Sequence, residues 1–115
     1  MSKPGSGHFK GTKGDIVRTI ANLPPKPNKD FHKNWEEVTD PRSKGNSEVY
    51  RSNENGLIIT FDPAQKGAPG FRGKDHYHIH NPNSTGKKDM YLDKDGNPVP
   101  KGSKASHVIK KKEED

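Results

Sequence analysis

The sequence predicts an α+β domain in which short N-terminal helices pack on a four- to five-stranded antiparallel sheet. Two observations carry this expectation. Apolar residues recur at helical spacing before residue 40 and at every second position after residue 46. The second half is also divided by two hairpin signals, NENG at 53–56 and DKDG at 93–96. Helices first and strands afterwards is the order of an α+β domain, not of alternating βαβ units.

Residues 1–13 (MSKPGSGHFKGTK) are rich in Gly, Ser and Lys and are expected to form a flexible lead into a single domain over 14–110. GDIVRTIANL at 14–23 reads as an amphipathic helix. Ile16, Ile20 and Leu23 share a face, Gly14 or Asp15 caps it, and Pro24-Pro25 stops it. Phe31, Trp35 and Val38, four and three apart, suggest a second helical turn or two that Asp40-Pro41 ends. SEVYR (47–51) and LIITF (57–61) are the strands of the first hairpin. DPAQKGAPGFRG (62–73) is a loop, 74–80 a third strand, and DMYL (89–92) with NPV (97–99) the second hairpin. Residues 105–110 close the sheet as a last strand, and KKEED (111–115) is a charged tail.

The chain has 115 residues, enough for one domain, with 3 Leu, 6 Ile, 5 Val and 4 Phe. That is a thin core, and a tight partner would add much to it. A net charge of +6 and a pI near 9.5 favour a phosphate-rich partner, nucleic acid before anionic membrane, although plain solubility accounts for such a balance equally well. With no cysteine, disulfides and thiolate metal sites are excluded. Residues 1–15 lack the apolar run of a signal peptide, and no stretch is apolar enough to span a bilayer, so export is expected to be carried by other sequence.

The densest chemistry lies in GKDHYHIHNPN (73–83), where three of six histidines stand at every second position. In a strand, His76, His78 and His80 share one face. Tyr77 and Ile79 then point at the helices, leaving the imidazoles on the open side. Imidazole titrates near neutrality, and bunching three like groups is unfavourable without a use for them. Two uses compete.

One is metal binding, with two strand histidines sharing a zinc ion and a third ligand from His80 or His107. Asp75 faces away in a regular strand and no Glu occurs between residues 55 and 112, so a carboxylate ligand would have to come from Asp89, Asp93 or Asp95. The other is metal-free cleavage of RNA. One imidazole removes the 2′-hydroxyl proton, an acid protonates the departing 5′-oxygen, and a Lys or Arg neutralises the phosphorane. The second use is the expectation adopted here, with no metal and no cofactor. His76, His78, His80 and His107 are the catalytic candidates, His78 the first choice. Arg72, Lys74 and Lys101 would hold the phosphate, with Lys104 nearby. Ser103 and Ser106 in KGSKASH (101–107) would orient it, provided that this segment adjoins the histidine strand. The rival readings are a metal-dependent nuclease acting on DNA and a non-catalytic basic RNA-binding module. The module ranks last because no aromatic residues interleave with the lysines as stacking platforms.

Residues 73–109, GKDHYHIHNPNSTGKKDMYLDKDGNPVPKGSKASHVI, resemble the C-terminal toxin domains of bacterial polymorphic toxins, the effectors of contact-dependent inhibition and Rhs systems. In those domains a DHYH-x-x-NP segment precedes a YLDKDGNPVPKGS-like hairpin and a final SH-I/V. The resemblance covers about a third of the chain. It implies a ribonuclease of the barnase/EndoU/colicin/RelE-like group, secreted at the end of a larger effector and acting in the cytoplasm of a target cell. It also implies a cognate immunity protein, expected to be acidic, and carries over to His76, His78, His80, Lys101, Ser103, Ser106 and His107. The ribosome-cleaving colicins share Asp-x-x-His at Asp75 and His78, but Pro82 stands where their further Glu would fall. A tRNA or other RNA is therefore the expected substrate.

Overall fold

A computed structural model describes residues 9–40, 42 and 47–110. The fold is α+β, with one helix and a six-stranded antiparallel sheet. Helix α1 spans Lys13–Ala21 and starts one residue before the expected position, because Thr12 is its cap. The Thr12 hydroxyl accepts from the Asp15 N–H at 3.2 Å, and the Asp15 carboxylate accepts from the Thr12 N–H at 2.8 Å. This reciprocal pairing satisfies two donors at the helix start. The segment just before the helix is engaged too. Lys10 donates its N–H to Asn55 O at 2.7 Å, and Phe9 packs against the core. Of the lead expected to be flexible over 1–13, residues 1–8 lie outside the described residues, as do the stop at Pro41 and the charged tail (111–115), while Lys13 already belongs to α1.

The second helix reduces to a single 3-10 turn, Phe31–Lys33, followed directly by strand β1, Trp35–Glu37. The four-residue spacing of Phe31 and Trp35 is used differently from a helix. Their rings stack at 5.2 Å, and the Phe31 ring meets Tyr50 edge-on at 4.8 Å. An aromatic cluster of this kind holds the turn while freeing the Trp35 backbone to pair with Ser52. This adds an edge strand, β1, where a helix was expected. Val38, the third residue of the supposed stripe, is exposed.

Strands β2 (Glu48–Ser52), β3 (Ile58–Asp62), β4 (His76–His80), β5 (Tyr91–Leu92) and β6 (Pro98–Val99) follow in a simple meander, each pairing with its sequence neighbour. Alternation divides the sheet cleanly. Tyr50, Ile59, Phe61, Tyr77, Ile79 and Leu92 form the core with Ile16, Ile20 and Leu23, and the Tyr77 hydroxyl donates to Pro24 O at 3.0 Å. Tyr77 and Ile79 are thus on the helical side, as the alternation of β4 predicts. The Asn-Pro-Asn that ends β4 is structural. Buried Asn81 donates to Asp89 O at 2.8 Å and accepts from the Asn83 N–H at 2.9 Å, which fixes the turn into β5.

The expected last strand is a 3-10 turn, Lys104–Ser106, and then one isolated bridge between Val108 and Tyr77. Two 2.8 Å backbone hydrogen bonds make that bridge. The Ser106 N–H and hydroxyl both donate to Ser103 O, curling the chain before it can run as a strand. Val108 is buried in the core, so its neighbour His107 is turned to the other face of the sheet. Among the described residues, no helix is long and apolar enough to cross a membrane.

Candidate active site

The face opposite the core is not open. The loop over 63–75 and the turn at 103–107 fold across it, leaving the side chains of His76 and His78 only 6 % and 13 % exposed. Gly73 makes this loop possible, since a Cβ there would stand 2.4 Å from Ala68 O. Within the loop, Gln65 N–H donates to Arg72 O at 2.8 Å, and Ala64 N–H donates to the Asp75 carboxylate at 2.7 Å. Asp75 therefore pins the loop and stays out of the chemistry. What remains is a cleft of about 250 Å³ lined by Ser47, Asp62, Pro63, Gln65, Arg72, His76, His78 and His107.

Three imidazoles meet in it. Ring centroids are 5.0 Å apart for His76 and His78, 5.0 Å for His76 and His107, and 4.8 Å for His78 and His107. Asp62 binds the strand pair, with one oxygen, Oδ2, 3.2 Å from Nε2 of both His76 and His78. The Ser47 hydroxyl donates to its other oxygen. Asp62 is the residue that sequence reasoning missed. The sequence pattern ends the strand at Phe61 and places Asp62 in the loop, which leaves Asp89, Asp93 and Asp95 as the carboxylates in view, whereas the strand runs through Asp62. Asp89 instead accepts from the N–H groups of Thr85 and Gly86, and Asp93 from those of Asp95 and Asn97, all within their own turns. One more residue of strand would have exposed the relationship: Thr60 and Asp62 alternate onto the histidine face, and Asp62 pairs in register with His76.

Hydrogen-bond partners fix the rings. The Nδ1 of His76 is 2.9 Å from Lys74 O while its Nε2 faces Asp62. Both partners are acceptors, which favours hydrogen on both nitrogens and the imidazolium form. Burial is the largest single influence and works against that charge, but the hydrogen bonds to Asp62 and Lys74 O together with the Asp62 charge outweigh it, and the His76 pKa is raised above the ordinary value. Burial would likewise raise the Asp62 pKa, yet the hydrogen bonds from His76, His78 and Ser47 hold it far below the usual carboxylate range.

His107 is the opposite case. Its Nδ1 donates to Ser103 O at 2.8 Å, which leaves Nε2 with a lone pair. Burial and the neighbouring His78 lower its pKa. Phe71 stacks on the ring at 4.4 Å with an interplanar angle of 13° and fixes its plane.

The remaining candidates are distributed as follows. His80 shares the face but stands at the far end of β4, with Nε2 2.7 Å from the Thr60 hydroxyl and its ring edge-on to Tyr91. Burial pushes its pKa down to about 4, assisted by His78. His78 packs on Tyr91 at 4.9 Å, and its Nδ1 is buried without a partner among the described residues. Arg72 lines the cleft, whereas Lys74, Lys101 and Lys104 are exposed outside the lining. The expectation that Ser103 and Ser106 offer hydroxyls to a phosphate meets a different arrangement. Ser103 Oγ donates to Pro100 O, and Ser106, fully buried, donates to Ser103 O. Their contribution is to build the turn that aims His107.

The arrangement therefore gathers a histidine whose pKa is raised, one whose pKa is lowered and a guanidinium around one small cleft. No protein-family model, curated protein or solved structure matches this chain.

Proposed function

We propose that the chain is the endoribonuclease domain of an interbacterial toxin, cleaving RNA without a metal. The observation that carries this reading is a pair of imidazoles, 5.0 Å apart by ring centroid, whose surroundings push them in opposite directions: His107, with Nδ1 on Ser103 O, toward the neutral form, and His76, between Lys74 O and Asp62, toward the charged form. Titratable neighbours whose environments push their pKa values apart are the signature of acid and base assignments. Nε2 of His107 takes the proton of the 2′-hydroxyl, and that oxygen attacks the adjacent phosphorus. The bond from phosphorus to the 5′-oxygen breaks, and His76 Nε2 gives up its contact with Asp62 and passes its proton to the departing oxygen. The products are a 2′,3′-cyclic phosphate and a free 5′-hydroxyl. Arg72 offsets the charge that builds on the phosphorane. Asp62 keeps His76 charged and oriented. His78, whose one buried nitrogen lacks a partner, shapes the site by holding Asp62, so the acid and base roles pass to its neighbours.

The test is purified protein with total RNA, with and without EDTA, followed by mapping of the new ends. Cleavage that persists in EDTA and leaves cyclic phosphates is expected. A second reading has its own observation: one nitrogen from each of His76, His78 and His107 lies within 4.8 Å of the others, close enough to gather a metal ion. Activity that appears only on adding zinc or magnesium, or cleavage of DNA, would replace the first reading with a metal-dependent nuclease.

Delivery to a target-cell cytoplasm at the end of a larger effector, and neutralisation by an immunity protein, rest on the resemblance of residues 73–109 to polymorphic toxin domains. The net charge of +6 favours an acidic immunity protein seated over the cleft. A basic partner, or one docked on the α1 side, would contradict this electrostatic argument.

A further inference from the structure

We infer that the same cleft is a reversible binding site for one zinc-class divalent ion, held by His76, His78 and His107 beside the Asp62 carboxylate. The convergence of the rings is the first reason. Nε2 of His76 and Nε2 of His78 each lie 3.2 Å from a single oxygen of Asp62, and one nitrogen from each of His76, His78 and His107 lies within 4.8 Å of the others, so three imidazoles surround one small space beside a carboxylate. An ion in that space takes the place of the hydrogens on the nitrogens that face it.

The outer contacts are the second reason. Histidines that bind metal through one nitrogen almost always donate the other N–H to a carbonyl or carboxylate, which sets the tautomer. His76 does so through Nδ1 to Lys74 O at 2.9 Å, and His107 through Nδ1 to Ser103 O at 2.8 Å. Two rings from different segments are thus prepared with Nε2 facing the cleft.

Distance is the third. Three atoms up to 4.8 Å apart have a common centre no more than about 2.8 Å from each, and zinc–nitrogen bonds are about 2.0–2.1 Å long. Closing that gap takes a movement of under ~1 Å per ring, within the range of side-chain adjustment in a cleft open on one side. Three imidazoles make a borderline-soft nitrogen set, with a fourth position left for another ligand, that suits zinc over magnesium or calcium.

The consequence rests on the functional reading above. An ion on Nε2 of His76 and His107 occupies the nitrogens that donate and accept the proton, so metal binding and RNA cleavage exclude each other. Zinc would act as a brake on the cleft, released by chelation.

The experiment is a zinc titration of chelator-stripped protein by calorimetry, run beside an RNA cleavage assay. One zinc per chain is expected, with affinity falling at least tenfold in His107→Ala and in Asp62→Asn and unchanged in His32→Gln, a change at an exposed histidine far along the chain. Cleavage by the stripped protein is expected to stop at one equivalent of zinc and return with EDTA. No zinc binding, or binding that His107→Ala leaves unaltered, overturns the site. Cleavage that continues with the site saturated overturns the sharing of nitrogens. The two readings fail separately: zinc bound as described with no RNA cleaved under any condition refutes the ribonuclease, whereas cleavage in EDTA by a protein that binds no zinc refutes only the ion site.

Discussion

His76 and Asp62 sit opposite one another in register on β4 and β3, with Nε2 of the ring 3.2 Å from Oδ2 of the carboxylate. The other ring nitrogen faces Lys74 O, so the histidine is held as a cation between two acceptors. A partly buried ion pair of this kind is seldom a net source of stability, because desolvation offsets the attraction. Its value lies in keeping a proton in place next to a histidine of opposite tendency.

That opposition sets the pH dependence expected of the proposed cleavage. His107 must be neutral, and its pKa is lowered by burial and by His78. His76 must be charged, and its pKa is raised by Asp62 against the effect of burial. A bell-shaped profile of kcat/KM is expected, its acid limb below and its alkaline limb above the ordinary histidine value of about 6.5. Replacing His107 with Ala removes the base and should lower the rate by about 10²–10⁴-fold while erasing the acid limb.

Asp62→Asn keeps the shape of the side chain and removes the charge that holds the His76 proton. The alkaline limb of the same profile should then move to lower pH, with the acid limb nearly unmoved. There is also a stability signature. The folded pKa of Asp62 is depressed, so its contribution is present above the unfolded value of about 3.8 and is lost as pH falls through the folded value. Denaturant melts of wild type and Asp62→Asn from pH 5 down to 2 should converge.

His80 carries a different pH effect. Its folded pKa of about 4 lies below the unfolded value of about 6.5, so the unfolded chain binds more protons between those values. Its contribution to stability is full above about pH 6.5 and declines as pH falls toward 4. His80→Gln, which retains a polar contact for Thr60, should flatten that slope in melts run from pH 7 to pH 4, and RNA cleavage at pH 7 should persist.

Ile79 is fully buried between α1 and the sheet. Ile79→Ala should destabilise the domain by about 2–5 kcal/mol, as deletions of this size in a core do. Urea titration measures it directly. A loss below about 0.5 kcal/mol, the range of surface changes, would mean that the sheet faces have been exchanged.

Gly73→Ala places a methyl group where Ala68 O lies 2.4 Å away. The loop must shift, at a cost of about 1–3 kcal/mol typical of overpacking, and Phe71 is expected to lose its stacking on His107. Activity should fall more than stability explains, with the acid limb of the pH profile broadened. Histidine proton shifts in NMR spectra would register the change at His107.

How legible was this protein in its sequence? Local pattern determined a good deal. The two hairpins at NENG and DKDG, the helix ending before Pro24, and the division of β4 into Tyr77 and Ile79 on one side and His76, His78 and His80 on the other all follow from spacing and turn chemistry, which act over a few residues. The segment 31–38 was ambiguous because its apolar spacing suits both a helix and an aromatic cluster. Only contact with Tyr50 on β2 decided for a turn and a strand. The site needed three distant segments to meet. Asp62 became a partner of His76 and His78 through strand register, Phe71 reached His107 because Gly73 lets the loop close, and His107 itself turned to the histidine face because Val108 enters the core beside Tyr77. Charges, too, were settled there. A histidine is cationic or neutral according to which acceptors, carboxylates and apolar walls surround it, and those surroundings belong to residues as far as Phe71 is from His107, 36 positions along the chain, a distance that periodicity does not span.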